Sequence, residues 1–118
     1  MFVTTIFSLM LSANAQSNEP KVTVTTPKLL CSVDQFVVRK GKGSLKACDK
    51  FKDKVAIETK SNDECKQRAV EQARECLKAV PNLEQLAVKG RFIEQFPISQ
   101  SAVKFTCELD KSGGSACP

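Results

Sequence analysis

Histidine, tryptophan and tyrosine are all missing from this 118-residue chain, and each absence closes off a class of chemistry. Without histidine the chain lacks the commonest general base, the usual triad partner and the commonest metal-ligating side chain. Phenylalanine supplies every aromatic ring, seven in all. With so few rings among the lysines, base stacking has little to work with, and nucleic acid is not an expected partner. The close C-x2–4-C pairs of zinc sites and the C-x-x-C of redox dithiols are absent too, so neither a metal nor a thiol redox centre is expected. Gly41-Lys42-Gly43-Ser44 does not have the spacing of a P-loop, which removes the nucleotide reading and leaves no cofactor to propose.

What is present is cysteine and positive charge. Six cysteines, Cys31, Cys48, Cys65, Cys76, Cys107 and Cys117, follow a short apolar run from Phe2 to Leu11. Ala13 and Ala15 stand where a signal peptidase reads small residues, so residues 1–15 are expected to be a signal peptide cut before Gln16. The apolar run is shorter than the about 20 residues a membrane span needs. An even cysteine count behind such a leader implies a disulfide framework in an oxidising compartment, periplasmic or secreted. Residues 16–30 are expected as an extended lead-in, and residues 31–118 as one disulfide-stabilised domain. Beyond the leader the only rings are Phe36, Phe51, Phe92, Phe96 and Phe105, an aromatic-poor core for which disulfides are expected to be essential.

The charge is concentrated. Residues 39–54 hold Arg39, Lys40, Lys42, Lys46, Lys50, Lys52 and Lys54 against Asp49 and Asp53, an excess equal to the whole +5 of the chain. Residues 61–118 carry eight basic and eight acidic side chains and are neutral.

Residues 61–80 carry the clearest periodic signal. Ser61-Asn62-Asp63-Glu64 has the form of a capping box, and Cys65, Ala69, Ala73, Cys76, Leu77 and Val80 then share one helical stripe. Pro81 ends the helix. Strands are expected at 33–40 and 55–59 before the helix, and at 86–96, a long one, and 102–109 after it. Gly90 is read as a bulge or twist, and in the last strand Val103, Phe105, Cys107 and Leu109 alternate with Lys104, Thr106 and Glu108. The tail 111–115 is expected to be flexible until Cys117 ties it back. The expected fold is therefore α+β in ββαββ order, one amphipathic helix packed on a mostly antiparallel sheet. The order resembles that of small βαββ modules of bacterial envelope proteins, a likeness of topology from which no activity follows.

Helical geometry limits the pairing of the cysteines. Cys65 and Cys76 fall about 20° apart around the helix but roughly 16 Å apart along it, too far to bond each other. A crossover from 55–59 through the helix to 86–96 makes those strands run the same way, and the return strand then runs alongside the helix. On that reasoning Cys107 reaches Cys76. Cys31–Cys65 and Cys48–Cys117 complete the expected set, with a local Cys31–Cys48 bridge as the alternative.

Catalytic constellations are sparse. Ser44 with Lys46, and Asp49 with Asp53, are candidate dyads that read better as loop surface, and Glu71 with Glu75, flanked by Arg68, Arg74 and Lys78, reads as a solvated charged helix face. The Gly41–Gly43 turn among lysines is the one functional lead, since backbone N–H groups and ammonium charges there favour an anion. The expected function is a non-enzymatic binding or accessory module of the cell envelope or secretome. It would contact an anionic envelope surface or a protein partner through the seven basic residues of 39–54. A secreted effector or toxin-like protein is the alternative, and a small hydrolase or transferase is the remaining reading.

Overall fold

The computed structural model describes residues 26–118, and the expected signal peptide and most of the lead-in lie outside the described residues. The fold is α+β: a five-stranded antiparallel sheet, one main helix on one of its faces, and three disulfides.

Helix α1 spans Asn62–Ala79 and is capped by Ser61, with Glu64 reaching back one residue further than a capping box requires, to Lys60. The Ser61 hydroxyl accepts from the Glu64 N–H at 3.1 Å, while the Glu64 carboxylate accepts from the Lys60 N–H and the Thr59 hydroxyl. Cys65, Ala69, Ala73, Cys76 and Leu77 are buried along one stripe, and the two alanines let the helix axis come close to the sheet.

Strands β1 (Lys28–Gly41), β2 (Ile57–Glu58), β3 (Leu83–Gln95), β4 (Gln100–Asp110) and β5 (Ser115–Ala116) are ordered β2-β1-β3-β4-β5. Every neighbouring pair is antiparallel. The crossover strands β2 and β3 therefore point the same way, but β1 lies between them. β1 starts at Lys28, so the last residues of the expected lead-in belong to the first strand. Its length escapes simple alternation because the apolar positions change phase: Leu29, Cys31 and Val33 step by two, and Phe36 follows by three. The structure explains the slip. Val33 pairs with Gly90 and Gln35 with Lys89, so Asp34 is an inserted bulge residue opposite no partner. Gly90 thus marks a bulge, but the bulge is in the neighbouring strand. A second shift between Val38 and Lys40 leaves Arg39 as a further inserted residue. The strand stops at Gly41, whose φ of +105° and the Asn82 carbonyl 2.5 Å from any added Cβ leave room only for glycine.

Residues 45–51 are a 3-10 helix, Leu45–Phe51, where a solvated basic loop was expected. With three residues per turn, Leu45, Cys48 and Phe51 eclipse one another and turn inward against the core. The expected strand 55–59 shrinks to Ile57–Glu58, which pair with Cys31 and Leu30 of β1, and Val55 stays 75% exposed.

All six cysteines are bonded: Cys31–Cys65, Cys48–Cys76 and Cys107–Cys117. The expected Cys76–Cys107 and Cys48–Cys117 bonds do not form, for two physical reasons. The 3-10 helix packs on α1 and brings the Cys48 Cα within 5.0 Å of the Cys76 Cα. The tail turns at Asp110–Gly114 and pairs with β4, Glu108 opposite Ala116 and Leu109 opposite Ser115. Extending that register by one pair sets Cys107 against Cys117, with Cα atoms 4.2 Å apart. Two of the bonds staple the ends of α1, one to β1 and one to the 3-10 helix. The third closes the tail, which carries β5 where a flexible segment was expected.

Candidate functional site

The basic residues of 39–54 divide into paired and unpaired cations. Arg39, the bulge residue, reaches across β3 and forms an exposed ion pair with Glu108 of β4 at 3.1 Å. Ala87, whose ladder partners are Val37 and Glu108, is fully buried. Lys40 pairs with Glu84 at 3.6 Å and Lys52 with Asp49 at 3.0 Å. The Lys50 ammonium lies 5.3 Å from the Phe51 ring centroid, a cation–π distance. Lys42, Lys46 and Lys54 are exposed and have no carboxylate partner among the described residues. Counting Glu84 and Glu108 as partners, the local field is weaker than the sequence segment alone suggests.

The candidate dyads are engaged elsewhere. Ser44 caps the 3-10 helix, its hydroxyl accepting from the Lys46 N–H at 3.2 Å. Asp49 and Asp53 face different cations: Asp49 meets Lys52, while Asp53 is held by Arg68 of α1. Asp53 also accepts from the Val33 N–H at 2.8 Å, and its own N–H donates to the Val33 carbonyl at 2.8 Å. This clasp covers the β1 edge just beyond β2.

Sequence reasoning missed a polar network on the sheet face turned away from α1. The bulge aims the Asp34 carboxylate at Arg91 of β3, whose Nε and Nη2 donate to it at 2.7 and 3.1 Å. Ser32, nearly fully buried, donates its hydroxyl hydrogen to the same carboxylate at 2.5 Å. Burial alone raises the Asp34 pKa, but the hydrogen bonds from Arg91 and Ser32, with the charges of Arg91 and Lys104, outweigh it and hold the carboxyl below its ordinary value. The same contact raises the Arg91 pKa. The signal lay in the phase slip between Val33 and Phe36, which places one acidic residue out of alternation.

Among the described residues no helix is long and apolar enough to cross a membrane, and no three metal-ligating side chains gather. The geometry provides two basic surfaces on a rigid scaffold, one along the 3-10 helix and one on the open sheet face. No family model, curated protein or solved structure matches the chain.

Proposed function

We propose that this protein is an exported, non-enzymatic binding module that works in the periplasm or outside the cell and contacts an anionic envelope surface. The observation that supports export is the cysteine usage: every cysteine is in a disulfide, and two of the three bonds fix the ends of α1, the one long helix among the described residues. Such a framework belongs to an oxidising compartment and suits a small domain with a modest core. The contact surface is the 3-10 helix and its flanks. Cys48–Cys76 clamps that helix to α1, so Lys42, Lys46 and Lys54 are displayed from a fixed base. Ordering costs on binding are then confined to lysine side chains.

The test is co-sedimentation with vesicles of phosphatidylglycerol against vesicles of neutral phosphatidylcholine. Binding to the anionic vesicles alone, weakened by salt and lost in the Lys42→Gln, Lys46→Gln, Lys54→Gln triple variant, supports the reading. Equal binding of the triple variant removes this surface from the account.

A further inference from the structure

The open face of the sheet carries a basic cluster separate from residues 39–54. We propose that Lys89, Arg91 and Lys104 form a binding site for a single phosphate or sulfate group, in the groove beside the Asp34 bulge. The proposal goes beyond the membrane-surface reading and does not depend on it.

The register brings the three cations together. Arg91 of β3 is directly opposite Lys104 of β4, and Lys89 lies two residues along the same strand, diagonal to Lys104. Like charges directly opposite each other in a ladder destabilise the pair. Asp34 is the only carboxylate bonded to this cluster among the described residues, so a net positive charge is left. An oxyanion bound there relieves the repulsion.

Arg91 is preorganised to meet it. Asp34 and Ser32 hold the guanidinium through Nε and Nη2, and Nη1 has no protein partner among the described residues. A planar fork gripped along one edge presents its other edge in a fixed direction. Thr106, paired with Lys89, adds a hydroxyl donor. These groups line a groove of about 330 Å³.

The surroundings set the size of the ligand. Toward one end of the strands the Arg39–Glu108 ion pair closes the cluster, and toward the other Leu30, Ile93 and Ala102 are apolar. The positive field is therefore one group wide, unlike the stripe a polyanion needs. Donors arriving from two strands match a tetrahedral anion better than the two oxygens of a carboxylate. The group can be free in solution or carried on a phospholipid headgroup.

The experiment is a titration of the disulfide-intact protein with sodium phosphate, then sodium sulfate, at ionic strength held constant with chloride, followed by amide NMR spectra. The site predicts saturable shifts at Gln35, Lys89, Arg91, Lys104 and Thr106. Lys104→Gln and Lys89→Gln should each raise the apparent Kd about tenfold, the effect of one charge-assisted hydrogen bond, while Lys46→Gln leaves it unchanged. In chloride alone Lys104→Gln should leave the Tm close to that of the parent, because the lost repulsion with Arg91 offsets the lost attraction to Asp34, so lost binding cannot be mistaken for lost folding. A parallel arm with phosphatidylglycerol vesicles separates the sources: free phosphate is the ligand if it saturates the site alone, and a headgroup if only vesicles bind and Lys104→Gln abolishes that binding. Shifts that never saturate with any of these probes, that map to residues 42–54, or that persist unchanged in both lysine variants would overturn the proposal.

Discussion

Arg68 and Asp53 meet fork to fork, Nη1 at 2.6 Å from Oδ2 and Nη2 at 2.7 Å from Oδ1. The carboxylate is 9% exposed and at the same time accepts from the Val33 N–H, so one side chain joins α1, the segment after the 3-10 helix and β1. Removing one partner of a buried pair strands the other charge, which costs about 3 kcal/mol. Asp53→Ala is therefore expected to lose about that much in urea denaturation. Asp53→Asn, which can still accept from Val33, should lose less. A loss below about 0.5 kcal/mol for Asp53→Ala would place this pair with ordinary surface ion pairs.

The disulfides should differ in worth according to the loops they close. Cys31–Cys65 and Cys48–Cys76 span sequence separations of 34 and 28, and Cys107–Cys117 spans 10. Chain entropy then assigns about 3.5–4 kcal/mol to each of the first two and about 2.7 kcal/mol to the third. Replacing each pair by serine and comparing thermal unfolding should leave the Cys107/Cys117 variant the most stable of the three.

Acid should weaken the fold. Glu64 is held below its ordinary pKa by the Lys60 N–H and then the Thr59 hydroxyl, and Asp110 by the Ser112 hydroxyl and then the Gly114 N–H. Asp34 is lowered as well, the bonds and charges around it overcoming burial. A lowered folded-state pKa means that the charged form is favoured by folding. Its contribution is complete above the ordinary carboxylate range and disappears as pH falls through the folded pKa values. The Tm should hardly change through these groups from pH 7 to about 5 and then fall below about pH 4. Glu64→Gln should make that fall shallower. A Tm that rises on acidification would contradict the assignment.

Gly90 is required by close approach. A Cβ there would lie 2.7 Å from the Phe105 ring and 2.8 Å from the Ser32 carbonyl. Gly90→Ala is expected to cost about 1–3 kcal/mol, as overpacking does. Adding Phe105→Leu should recover only part of it, because the carbonyl cannot withdraw from the β1–β3 ladder. Denaturant midpoints of the single and double variants check this.

The helix was legible in the sequence because its cap, stripe and terminating proline agree over many residues. The alternation in 102–109 was equally plain, although Val103 remains 52% exposed. The remaining elements were obscured by local events. Two bulges broke the period of β1, and the spacing of Leu45, Cys48 and Phe51 signals a 3-10 helix only to a reader who sets aside the lysines between them. Two of the three disulfide pairings were obscured by the 3-10 helix and by the return of the tail alongside β4. The Lys89–Arg91–Lys104 cluster was hidden for a different reason: a charge-neutral stretch of sequence gives no hint that register will sort its cations onto one face.

The most direct test of a disulfide-stapled, exported domain is a non-reducing peptide map of the protein recovered from outside the cytoplasm under its own leader. The account predicts a chain beginning at Gln16, no alkylatable thiol, and linked peptides joining Cys31 to Cys65, Cys48 to Cys76 and Cys107 to Cys117. Protein retained in the cytoplasm at full length with free thiols would contradict it.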